Sequence, residues 1–117
     1  MANRLQGKRV VITNADDFMG EATQEVFAEE GAELIADRSD LTRRDAADVL
    51  ITDAGHVDVL IVNLAAPTFS GIAAQDLSDA DWECAFNVMV HPLHRLTRAV
   101  LPQMIERKAG KIVVYGS

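Results

Sequence analysis

The sequence predicts an α/β fold built on a parallel sheet, and three observations carry that prediction. Short apolar runs at 9–13, 32–36, 57–62 and 111–115 alternate with helix-length amphipathic stretches. The run 57–62 is nearly continuous in Val, Leu and Ile, as a strand covered on both faces requires. The two most informative loops, 13–20 and 63–67, each follow a strand. That puts them at the carboxyl edge, where open α/β sheets bind ligands. With right-handed crossovers, residues 1–117 form part of a single domain.

The first element is the strand at 9–13, and the loop after it, Thr-Asn-Ala-Asp-Asp-Phe-Met-Gly, opens a helix. An α/β protein normally holds a dinucleotide diphosphate here, on backbone N–H groups at a helix N-terminus. Three glycines usually allow this: one turns the chain, one admits the phosphates, one lets helix and strand pack closely. Here Gly20 keeps the third position, while Asn14 and Phe18 occupy the first and second. Asparagine enters the left-handed region at modest cost. A benzyl group fills the space a phosphate needs. Asp16 and Asp17 add two carboxylates to a site meant for anions. A like-charge contact near 4 Å costs about 1 kcal/mol in water and about 4 at a protein surface.

The helix spans about 20–30, with Met19, Ala22, Val26 and Phe27 on one face and Gly31 as a left-handed cap. Asp37 ends the second strand. It reads as a carboxylate in a strand-ending turn; the alternative is the acidic residue that bonds an adenosine ribose. Ser39 or Asp40 is expected to cap a helix running to Ala54, closed by Gly55. The third strand ends at Asn63, read as a structural residue bonded to backbone, with a place on the pocket rim as the alternative. Ala65 and the loop 67–75 are assigned to the same rim.

Ser78 begins a capping box, and one long helix kinked at Pro92 is expected over 79–107. One apolar row holds Ala85, Met89, Leu93, Leu96, Val100 and Met104; another holds Phe86, Val90 and Leu101. Two rows imply burial on two sides, against the sheet and against a second subunit. His91 and His94 lie three apart with no carboxylate or cysteine joining them, so they read as packing or surface groups and no metal is assigned. Cys84 reads as an inert helix residue.

The net charge of −7 argues against nucleic acid or an anionic membrane as partner, because both need clustered Lys and Arg. One cysteine excludes an internal disulfide and fits a reducing compartment. A polar N-terminus and the lack of any apolar run of ~20 residues point to a cytoplasmic protein.

These residues resemble the short-chain dehydrogenase/reductase superfamily along essentially the whole chain. Val-Asp-Val-Leu-Ile-Val-Asn at 57–63 is similar to its Asp-x-Leu-x-Asn-Asn-Ala-Gly strand, with Val62 and Ala65 departing. The segment 82–117 is similar to its long helix and the strand before its catalytic serine, so Ser117 takes that serine's place. The resemblance implies a Rossmann-like three-layer α/β/α sheet, incomplete at its C-terminal side. The helix asparagine of many members falls on Met89, not on Asn87. Together with the altered loop, this resembles the halohydrin dehalogenases, whose loop reads Thr-x4-Phe/Tyr-x-Gly; Thr13, Phe18 and Gly20 fit without a gap.

That branch implies a cofactor-independent reaction; NAD or NADP belongs to the alternative, a reductase with a degenerate loop. A non-catalytic member is the third reading. A serine and a tyrosine hold a vicinal haloalcohol, an arginine lowers the tyrosine pKa, and displacement of halide gives an epoxide. Ser117 would donate to the substrate, and Thr13, Phe18 and Gly20 would form the halide pocket. The tyrosine and arginine are expected beyond Ser117, so residues 1–117 correspond to the N-terminal part of such an enzyme and are expected to be inactive alone. A homo-oligomer formed through 79–107 is expected.

Overall fold

The computed structural model describes residues 3–65 and 71–116. Four parallel strands form one sheet in the order β2-β1-β3-β4: β1 Arg9–Ile12, β2 Glu33–Ala36, β3 Val59–Val62 and β4 Lys111–Val114. Central β1 pairs Val11 with Ile35 on one side and with Leu60 on the other. The helices are α1 Gly20–Glu29, α2 Ala46–Ala54, α3 Asp79–Met89 and α4 His91–Arg107.

The pleat sends alternate residues to opposite faces, and each face finds its own helices. Val11, Leu60 and Val62 pack with Leu50 and Ile51 of α2 and with Leu96, Val100 and Met104 of α4. Val10, Ile12, Val59 and Ile61 face the other way, toward Phe27 of α1. The result is the expected three-layer arrangement, with β1 and β3 buried at its centre. Strand β4 is the outer strand of the described sheet, and its Val113 and Val114 are exposed.

Three expectations need correction. The inward face of α1 is carried by Gly20, Thr23 and Phe27, while Ala22 and Val26 point outward and Met19, just before it, is exposed. Small and polar residues take the inner positions because Thr23 satisfies its hydroxyl there, on the Met19 carbonyl at 2.8 Å. Helix α2 begins at Ala46 rather than at Ser39 or Asp40. The Asp40 carboxylate accepts both the Thr42 amide, at 3.0 Å, and its hydroxyl, at 2.6 Å. This local turn captures the backbone before a helix can form. The span 79–107 is two helices that break at Val90, with φ −108° and ψ −52°. Pro92 lies in the first turn of α4, where its missing N–H costs nothing. The Ser78 cap is present: its hydroxyl accepts the Asp81 amide at 3.1 Å.

The amino edge of the sheet is fastened by charge. Asp58 accepts the Arg9 amide and the His56 ring nitrogen, each at 2.8 Å. Burial pushes the Asp58 carboxyl upward, but these two bonds outweigh it and hold the group below its ordinary value of 3.8. The unfolded chain therefore takes up this proton first as pH falls. The contribution is complete above about pH 4–5 and is lost as pH drops through the folded value. Denaturant titrations between about pH 6 and 3 should show a shallower acid decline for Asp58→Asn than for the parent; identical slopes would exclude the assignment.

Candidate active site

The carboxyl edge of β1 and β3 is held together by one residue. Asn63 is fully buried, and its two side-chain hydrogens go to the carbonyls of Asn14 and Asp17, each at 2.9 Å. Its own carbonyl accepts the Thr13 hydroxyl at 2.7 Å and the Asn14 side chain at 3.1 Å. Its amide lies 3.0 Å from the Thr13 oxygen. Five polar contacts therefore tie the end of β3 to the loop after β1, and the side-chain oxygen of Asn63 is buried without a partner among the described residues.

The loop keeps the backbone shape that glycines usually provide. Asn14 has φ 45° and Phe18 φ 48°, both left-handed. For Asn14 this matches expectation. For Phe18 the conformation costs about 1–2 kcal/mol, and the residue is 57% exposed. Gly20 starts α1 against the loop itself: a Cβ there would lie 2.3 Å from the Ala15 carbonyl oxygen. Gln24 returns from α1 to the same oxygen at 2.8 Å.

The expected site residues thus separate into two roles. Thr13 is fully buried with its hydroxyl spent on Asn63, so it supports the loop from beneath. Gly20 is a packing position, and Phe18 presents its ring at the surface. The Asn63 side chain donates to backbone carbonyls, and Ala65 is half-buried just beyond it. Ser117 and residues 67–70 of the rim lie outside the described residues. His91, the first residue of α4, meets the Phe86 ring at 6.3 Å, and Phe86 meets Trp82 at 5.2 Å, so this histidine packs against the aromatic pair of α3. Cys84 is exposed. Sequence reasoning missed a contact between Thr23 and Tyr115, whose oxygens are 2.7 Å apart across 92 residues. No local pattern encodes such a pair.

Residues 4–117 match the family described as short chain dehydrogenase. The chain belongs to the short-chain dehydrogenase family. Its relatives include Dehydrogenase/reductase SDR family member 6 of Danio rerio, 33% identical over 97% of this chain and 54% of that protein. Galactitol 2-dehydrogenase of Rhizobium johnstonii is 31% identical over 97% of this chain and 54% of that protein. A solved structure titled "Dehalogenation enzyme" superposes with a TM-score of 0.82 at 25% identity, covering 100% of this chain and 56% of the other. The chain spans about half the length of the curated relatives it matches.

A dehydrogenase of this short-chain family needs a nicotinamide dinucleotide, whose diphosphate would rest on the 13–20 loop. The residues present fit it poorly. Beyond the Phe18 ring, Asp16 and Asp17 are exposed on the loop, and Asp37 adjoins it through its carbonyl, which accepts the Ala15 amide at 3.0 Å. Arg38, the nearby cation, is already committed to Asp16 at 2.7 Å. That hydrogen bond and the adjoining charge hold the guanidinium above its usual pKa. Asp37 accepts the Ser39 hydroxyl at 2.7 Å within the strand-ending turn. Among the described residues no helix is long and apolar enough to cross a membrane.

Proposed function

We propose that this family member is part of a halohydrin dehalogenase-like enzyme, which closes a vicinal haloalcohol to an epoxide without a nucleotide. The observation that carries this reading is Phe18: it holds, with φ 48°, the left-handed backbone that the second loop glycine usually supplies, and in this reading its side chain takes the space of the phosphate. The resemblance to a structure titled as a dehalogenation enzyme supports it.

The bond changes are simple. A base removes the substrate hydroxyl proton, the alkoxide oxygen bonds to the neighbouring carbon, and the carbon–halogen bond breaks with its electron pair leaving on halide. Nucleophile and leaving group share one molecule, so orientation supplies much of the rate. In this reading the Phe18 ring walls the halide side, Thr13 and Asn63 hold that wall, and Ser117 donates to the substrate oxygen. The tyrosine base and its arginine partner belong to positions beyond Ser117. The exposed apolar groups Trp82, Phe86, Val90 and Leu101 support self-association through 79–107.

The second reading, an NAD- or NADP-dependent reductase, is favoured by the names of the dehydrogenase relatives. Two assays on the full-length protein separate them. Bromide released from a vicinal bromoalcohol with no nucleotide added is the expected result. Micromolar binding of NADH or NADPH, with carbonyl reduction and no bromide release, would overturn it.

A further inference from the structure

The geometry points to Tyr115 as a positioning residue that clamps the end of β4 to the wall of the site; the catalytic part of this inference rests on the dehalogenase reading. Tyr115 follows β4, and its amide donates to the Val62 carbonyl at 3.1 Å, prolonging the β3–β4 ladder. Its ring packs on the α1 side of the sheet, in the cluster that includes Phe27 and Leu34. Its hydroxyl reaches Thr23 at 2.7 Å.

Hydrogen counting fixes the direction. Thr23 is buried, and its single hydroxyl hydrogen goes to the Met19 carbonyl at 2.8 Å. The Tyr115 hydroxyl must therefore donate to Thr23, giving a relay from Tyr115 through Thr23 to Met19. Met19 adjoins Phe18, and Ser117 lies two residues after Tyr115 in the chain. The end of β4 and the start of α1, widely separated in sequence, are thus coupled through this bond. A ring that merely filled the core would need no hydroxyl.

Tyr115→Phe keeps the ring and removes only the donor. In the full-length protein, hydrogen exchange at amides 14–20 should accelerate roughly 3–10-fold while exchange in β1 and β3 is unchanged. Bromide release should fall by a similar factor in kcat, with KM changed less than about twofold. Thr23→Val should behave likewise, Thr23→Ser should restore parental values, and the double variant should lose no more than either single one. Unchanged exchange at 14–20, or acceleration spread evenly over the sheet, overturns the clamp. Selective acceleration in a protein that releases no bromide retains the clamp and overturns the dehalogenase reading. If Tyr115→Phe does not fold, the comparison of Thr23→Val with Thr23→Ser decides the same question.

Discussion

Replacing Asn63 with aspartate is expected to destabilise the protein by about 3–5 kcal/mol, although the two side chains have the same shape. Asn63 spends both side-chain hydrogens on the carbonyls of Asn14 and Asp17 in a fully buried position. Aspartate offers no hydrogens when ionised, so a buried carboxylate would face two carbonyl oxygens with no compensating charge. The group can escape only by taking a proton. The Asn63→Asp defect should therefore shrink as pH falls toward 4, opposite in sign to the acid loss assigned to Asp58. Asn63→Ser, smaller and neutral, should cost less at pH 7. Equilibrium unfolding at pH 7 and pH 4.5 tests this; a neutral-pH loss below about 1 kcal/mol would remove Asn63 from the centre of the site's framework.

A methyl group at Gly20 gives the second large effect, about 1–3 kcal/mol or more. In most helix starts alanine would be an improvement, because it restricts the unfolded chain. Here the added carbon would meet three backbone atoms: the Ala15 oxygen at 2.3 Å, the Ala15 carbon at 2.6 Å and the Asn14 oxygen at 2.9 Å. Backbone cannot rotate away as a side chain can. Relief requires α1 to move off the loop, which would strain the Gln24 bond to Ala15 and the Thr23 bond to Tyr115. Thermal melts should show a clear drop for Gly20→Ala, whereas Ala22→Ser, on the exposed side of the same helix, should stay within about 0.5 kcal/mol. Equal melting temperatures for the two would refute the close approach.

The sheet was legible because its signals are local. Strands of Val, Leu and Ile bounded by turn residues declare themselves, and Gly31 and Gly55 sit at helix ends with φ 87° and 72°. Helix limits were harder to read. Asp40 looks like an N-cap in sequence, but its carboxylate closes a turn on Thr42 instead, and the helix waits until Ala46. Pro92 reads as a kink because the helical spacing of apolar residues continues on both sides of it; the backbone breaks at Val90, and the proline falls in the first turn of a new helix. Val26 looked like core by spacing, yet α1 is turned so that Thr23 faces inward.

The sequence by itself determined the parallel α/β class, the carboxyl-edge position of the 13–20 loop, and the replacement of two loop glycines by Asn14 and Phe18. Composition and periodicity act over a few residues, and that range is enough for such facts. Only the tertiary structure decided that Thr13 supports the loop, that Asn63 holds both of its carbonyls, and that Tyr115 reaches Thr23. Those contacts join residues roughly 50 to 90 apart, and their existence depends on strand order and register, which no short stretch of chain specifies.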